Sequence, residues 1–199
     1  MSKEKLILQL LELFRRYGYE GATLSKISQF TGLGKASLYH HFPGGKEDMV
    51  NAVLEYLENW SETNILKPMC AQNNPSDRLK AMCDRVNELY QGGEQSCLFG
   101  VLLLGEARGL FHEKINNSLK LWIEAIAEVL VAAGIEEKIA REQAEDAIAS
   151  IQGALILARG LVGGNAASQA AYSTPSVSHN LEPFQRTLRQ IKNLIPPIN

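Results

Sequence analysis

Residues 23–46 read TLSKISQFTGLGKASLYHHFPGGK. This stretch divides into a helix, a glycine-broken turn, a short second helix and a basic entry into a third. Thr23 is placed to cap the first of these, since its hydroxyl can accept a backbone N–H left free at a helix start. Leu24, Ile27 and Phe30 follow at helical spacing. Gly32 ends the helix as a left-handed glycine does, and Leu33 plugs the turn. The next helix runs from Lys35 to His41 and carries Lys35, Ser37, Tyr39, His40 and His41. A short helix of that kind, held up by another and rich in hydrogen-bonding side chains, is what the major groove of DNA admits.

Upstream, Leu6, Leu10, Leu13, Phe14 and Tyr17 fall on one helical face, with stops near Gly18 and Gly21. Downstream, Pro43 and two glycines break the chain before a helix from Lys46 through Met49, Val53, Leu57 and Trp60. The remainder predicts five more helices: about 76–90, 97–110, 112–133, 140–162 and 182–194. The fourth ends at Gly163–Gly164 and the last at Pro196–Pro197, and the polar stretch 165–180 between them predicts a loop. Strand signals are almost absent. The expected class is therefore all-α: an N-terminal helix-turn-helix head of three helices (1–48) on a larger helical body (49–199).

Charge is distributed to match. Residues 1–50 hold seven Lys/Arg (Lys3, Lys5, Arg15, Arg16, Lys26, Lys35, Lys46) against five Asp/Glu, and the rest holds 13 against 17. A mildly basic head on an acidic body suits local contact with phosphates and excludes coating nucleic acid with the whole surface. Cys70, Cys83 and Cys97 are odd in number and lack metal spacing. The N-terminus does not read as a signal peptide, and no apolar stretch approaches the roughly 20 residues of a membrane helix. The expectation is a reduced, cytoplasmic, soluble protein. No Glu-x-x-His pair, Gly-rich phosphate loop or nucleophile elbow is present, so neither a cofactor nor catalysis is expected.

The pieces ILQLLELFRRYGYEGATL (residues 7–24), TGLGKASLYHHF (residues 31–42) and KEDMVNAVLE (residues 46–55) resemble the DNA-binding domain of the tetracycline-repressor (TetR) family. The nine-helix layout with a loop before the last helix is similar to that family too. FPGGKED and SCLFGVLLL resemble the LmrA-type multidrug-resistance regulators within it. The resemblance implies DNA contacts from Thr23, Lys35, Ala36, Ser37, Tyr39, His40, His41 and Lys46. Tyr39 and His40 match the family's phosphate-contacting pair. Lys46 sits where its charge and the free N–H groups of a helix start meet one phosphate. Two departures bear on base preference. Gly34 replaces a polar residue at the mouth of the recognition helix, and Ala36 stands where many relatives have glycine; its methyl could touch a thymine.

The resemblance further implies a double-stranded operator, a homodimer and a small-molecule effector in the body. Trp60, Phe99, Leu103, Phe111, Trp122 and Ile156 are apolar candidates for lining its pocket, with Arg108 and Gln152 to orient the ligand; at such spacing plain core is the competing reading. Gly153, Ala154 and Ala158 on one helix, and Phe184, Leu188 and Ile191 on the last, could meet across a two-fold axis or pack within one subunit. Two other functions compete with a ligand-responsive repressor: an all-α enzyme or small-molecule-binding protein whose helix-turn-helix is only structural, and an architectural module without operator selectivity.

Overall fold

The computed structural model describes residues 2–161 and 181–195. The loop expected at 165–180 and the stops at Gly163–Gly164 and Pro196–Pro197 lie outside them. Every regular element among the described residues is helical, including nine helices of seven residues or more. The chain divides into two compact units. One holds the residues up to Ser61 together with Cys97–Ser118, and the other holds Glu62–Ser96 and the described residues from Leu119 onward.

The first unit begins with α1 (Lys3–Gly21), capped by the Ser2 hydroxyl, which accepts from the Lys5 N–H at 3.2 Å. Leu6, Leu10, Leu13 and Phe14 form its buried face. Gly18 was expected to stop the helix; it kinks it instead. At φ 67° Gly18 adopts a left-handed conformation that side chains resist, and a further helical turn follows through Gly21. Helix α2 (Leu24–Thr31) is capped by Thr23, whose hydroxyl accepts from the Lys26 N–H at 3.3 Å. Its other end is tied by the Gly32 N–H to Ser28 carbonyl bond and by the Ser28 hydroxyl donating to the Leu33 carbonyl at 2.6 Å. Helix α3 (Lys35–His41) and helix α4 (Lys46–Ser61) follow, with α4 packed along α1. The compact unit keeps all of α4 and adds α7 (Leu98–Leu104), which packs on α1.

The helix expected over 97–110 is broken. α7 ends at Leu104, Gly105 is extended, and α8 (Arg108–Ala132) begins before the expected His112. The break is stabilised from outside the segment: a Glu20 carboxylate oxygen accepts from the Ala107 N–H at 2.9 Å. α8 contributes its residues through Ser118 to the first unit and the rest to the second.

The second unit opens with a single π-helical turn (Glu62–Leu66) and the short α5 (Lys67–Met69). Then come α6 (Pro75–Leu89), a 3-10 turn at Gln91–Gly93, α9 (Glu137–Leu161) and α10 (Glu182–Lys192). Asn74 caps α6 with proline in its first turn. α10 lies against α9 and α6 and buries Phe184, Leu188 and Ile191. Phe184 meets the Tyr90 ring edge-on at 6.0 Å, and Gln185 bonds both Asn87 and the Gly92 carbonyl. This decides one open question. Ala154, Ala158, Phe184, Leu188 and Ile191 are consumed inside one chain, where α9 and α10 cover each other. They do not form a face free for a second copy. The side of α9 that remains open carries Gly153, Ile156, Leu157, Gly160 and Leu161, at spacings of three and four that form one stripe.

Candidate nucleic-acid interface

Helix α3 is held by its few apolar residues. Leu38 is fully buried, as is Phe42 just past the helix end, whose N–H bonds the Leu38 carbonyl at 2.8 Å. Every other residue of α3 is exposed: Lys35, Ala36, Ser37, Tyr39, His40 and His41. The structure thus brings six of the eight predicted DNA contacts onto one seven-residue helix. The His40 and His41 rings lie edge to face at 5.7 Å. Gly34 caps α3 without a side-chain bond, which leaves the helix mouth open to approach. The Tyr39 ring lies over Gly45, where a Cβ would sit 3.4 Å from the ring. Gly45 has φ 71°, so glycine here both makes the turn into α4 and admits the ring.

Thr23 is exposed at the start of α2. Its oxygen is used as the cap, and its hydroxyl proton remains available to donate. Lys26, one turn on, was not among the predicted residues, because its position carried no motif of its own. Its ammonium donates to the Gly21 carbonyl at 3.0 Å and lies 4.5 Å from the Tyr17 ring centre.

Lys46, the first residue of α4, has a partner within the chain. Its ammonium donates to the Tyr19 carbonyl at 2.6 Å and lies 4.1 Å from the Tyr19 ring centre, a cation–π position. The Tyr19 ring in turn meets Phe111 of α8 edge-on at 5.5 Å. Burial, with the carboxylates of Glu47 and Glu20 adding to it, pushes the Tyr19 phenol above its usual range, so the ring stays neutral beside the ammonium. Next to it, Glu20 holds the buried Ala107 N–H; leaving such a donor unpaired costs about 1–3 kcal/mol. Tyr19 and Glu20 had no sequence signal, since their partners lie 27 and 87 residues away.

The eight pocket candidates divide between the units. Trp60, Phe99, Leu103, Arg108 and Phe111 belong to the first, and Trp122, Gln152 and Ile156 to the second. Phe111 is buried against Tyr19; Trp60, Phe99 and Leu103 are half-buried; Arg108 is exposed. Trp122 and Gln152 are half-buried, while Ile156 is 65% exposed on the open stripe of α9. A groove of about 320 Å³ between the end of α8 and the start of α9 is lined by Glu124, Ala127, Glu128, Val131 and Arg141 among others, and by none of the eight. Among the described residues, no group of three or more His, Cys, Asp or Glu side chains is placed to hold a metal ion, and no helix is long and apolar enough to cross a membrane.

A buried anchor, an outward-facing polar helix and a supporting helix behind a tied turn define a helix-turn-helix DNA-binding protein. Comparison with known proteins gives the family. The description "Bacterial regulatory proteins, tetR family" matches residues 6–53, and "Transcriptional regulator LmrA/YxaF-like, C-terminal domain" matches residues 75–162. The HTH-type transcriptional regulator LmrA of Bacillus subtilis (strain 168) is 28% identical over 160 residues, covering 78% of this chain and 85% of that protein. The HTH-type negative transcriptional regulator IcaR of the icaADBC biofilm operon in Staphylococcus aureus (strain Newman) is 40% identical over 60 residues, 29% of this chain and 32% of its own. A TetR transcriptional regulator from Legionella pneumophila shares the fold at a TM-score of 0.75 and 20% identity, over 98% of this chain and 97% of that one. The chain belongs to the TetR family of transcriptional regulators and is of LmrA type. It is a DNA-binding regulator and not an enzyme.

Proposed function

We propose that the protein is a homodimeric, ligand-responsive repressor acting in the cytoplasm, released from a palindromic operator by a small apolar or aromatic effector. The observation that supports it best is α3, which exposes six of seven residues and buries one. Lys35 and Ser37 read base edges; Tyr39, His40 and Thr23 take phosphates. A head of this size is too small to select a site alone. Two heads on successive major grooves, about 34–36 Å apart, supply the remainder. The copies meet through the open stripe of α9, where Gly153 and Gly160 leave room for a close approach beside Ile156, Leu157 and Leu161. Repression follows the negative role named for the relative from S. aureus.

Induction requires the effector to prefer the DNA-free form, by about 1–3 kcal/mol for a typical allosteric coupling. The effector candidates that keep accessible surface are Trp60, Phe99, Leu103 and Arg108 in the first unit, with Trp122 and Gln152 in the second. Selection of bound duplexes from a random pool by the purified protein tests the reading. A palindromic consensus with two half-sites is expected. No enrichment, or flat affinity across unrelated duplexes, would sink it in favour of a structural or architectural head.

A further inference from the structure

The end of α1, just past the Gly18 kink, touches two places at once. Tyr19 takes the Lys46 ammonium on its carbonyl and ring face, at the first residue of α4. The same ring meets Phe111. Glu20 takes the Ala107 N–H, and its other carboxylate oxygen lies so close to Gly105 that a Cβ there would sit 2.9 Å from it. Val101 of α7 closes the other side, 3.6 Å from where a Gly18 Cβ would be. A second tie runs from Lys114 of α8 to Asn51 of α4 at 3.4 Å. All of these residues belong to the first unit.

We propose that Tyr19 and Glu20 form a joint through which the α7–α8 junction sets the position of α4, and that Lys46 is a positioning residue anchored in this joint and not a phosphate ligand. The inference rests on the reading of α3 as the DNA-binding helix and deepens it by assigning its control. An ammonium already bonded to a carbonyl at 2.6 Å, with its charge over a ring, has less to give a phosphate than a solvated one. Its release would free the start of α4 from α1. The α7–α8 junction is a helix break tied by the Glu20 side chain from α1, so a shift of the Ala107 N–H either pulls the Glu20 carboxylate or releases it. Residues 19 and 20 share a peptide group, so a backbone shift at Glu20 carries the Tyr19 carbonyl with it. Leu103, Arg108 and Phe111, three of the effector candidates, flank or follow that junction.

The test uses the full-length protein and a duplex selected from the random pool, with affinity measured across a series of KCl concentrations. Lys46→Gln is expected to weaken binding while leaving the slope of log affinity against log salt as in the wild type. A phosphate ligand would instead lower that slope by about one, and this result would overturn the proposal. Glu20→Ala is expected to weaken binding also, and Glu20→Gln, which keeps an acceptor for the Ala107 N–H, to restore it. Equal losses in the two Glu20 variants would overturn the proposal. In the double variant of Glu20→Ala with Lys46→Gln, the losses should fail to multiply by a factor of about two or more, as for coupled sites; simple multiplication overturns the joint. Should Glu20→Ala not fold, Phe111→Leu takes its place in the cycle. Lys35→Ala on the same duplex reports on the underlying reading. No loss there sinks that reading and this proposal with it, whereas a loss at Lys35 with multiplying Glu20 and Lys46 effects sinks the joint alone.

Discussion

Helices α3 and α10 are both short, and both end in residues able to carry positive charge, yet they spend their residues in opposite ways. α3 buries Leu38 and shows everything else; α10 buries Phe184, Thr187, Leu188 and Ile191 against its neighbours. One is a surface held in place by a single peg. The other is a covering layer, and on its outer side Arg189 pairs with Glu182 and Lys192 with Asp84 of α6. The difference separates two kinds of pattern. An apolar stripe says that a helix will be covered, without saying by what. A short helix with almost no stripe, pinned beside another helix, leaves its polar residues for something outside the chain.

The contrast can be broken by substitution, and the largest effect belongs to α10. Phe184→Ala should cost about 3–5 kcal/mol of stability in denaturant unfolding, the usual loss for a fully buried ring. A loss below about 1 kcal/mol would mean that α10 is not a core layer. Next come the outward residues of α3. Lys35→Ala and Ser37→Ala should each leave stability within about 0.5 kcal/mol of wild type. Each should remove about 1–3 kcal/mol of binding to the selected duplex, Ser37→Ala at particular base positions. If either changed stability more than affinity, α3 would be a packing element like α10. The smallest effect is expected at Thr23→Ala, about 1 kcal/mol of stability through the lost cap on the Lys26 N–H. A drop in affinity larger than that stability loss would show the hydroxyl donating to a phosphate as well.

The same contrast explains what could be read from sequence. Thr23, Gly32 and the span Lys35–His41 are local devices, each satisfied by neighbours a few residues away, so the helix-turn-helix was legible to the residue. Leu38 inside α3 and Phe42 just past its end are the buried apolar residues of that stretch. By contrast, the partner of α10 could not be read. Ala154 and Ala158 suit a close helix contact equally well within a chain or between chains, and only their burial decides. The Lys46 anchor was missed for a related reason. A lysine at a helix start next to a DNA motif suggests a phosphate, and nothing local points to the Tyr19 carbonyl, 27 residues earlier, to which it donates. The break at Gly105 was hidden by the run LFGVLLL, which is apolar enough to continue as one helix. It is stabilised by Glu20, 87 residues earlier than Ala107.

The three thiols have a consequence for kinetics. Cys70 is exposed, Cys97 is buried in the first unit, and Cys83 is buried in the second. Burial raises the Cys83 thiol from 9.0 to about 12, so near neutral pH it is a protonated group sealed from solvent and inert until the chain opens. The sign of the linkage follows: the fold's preference for the neutral thiol is fully present below pH 9 and fades as pH rises from there toward 12. A thiol reagent should therefore consume Cys70 at once and the two buried sulfurs only as their surroundings open. One chain thus carries two clocks started together. If Cys97 and Cys83 are labelled at one rate, the units open as a single cooperative event; if their rates differ, the faster one names the unit that opens first.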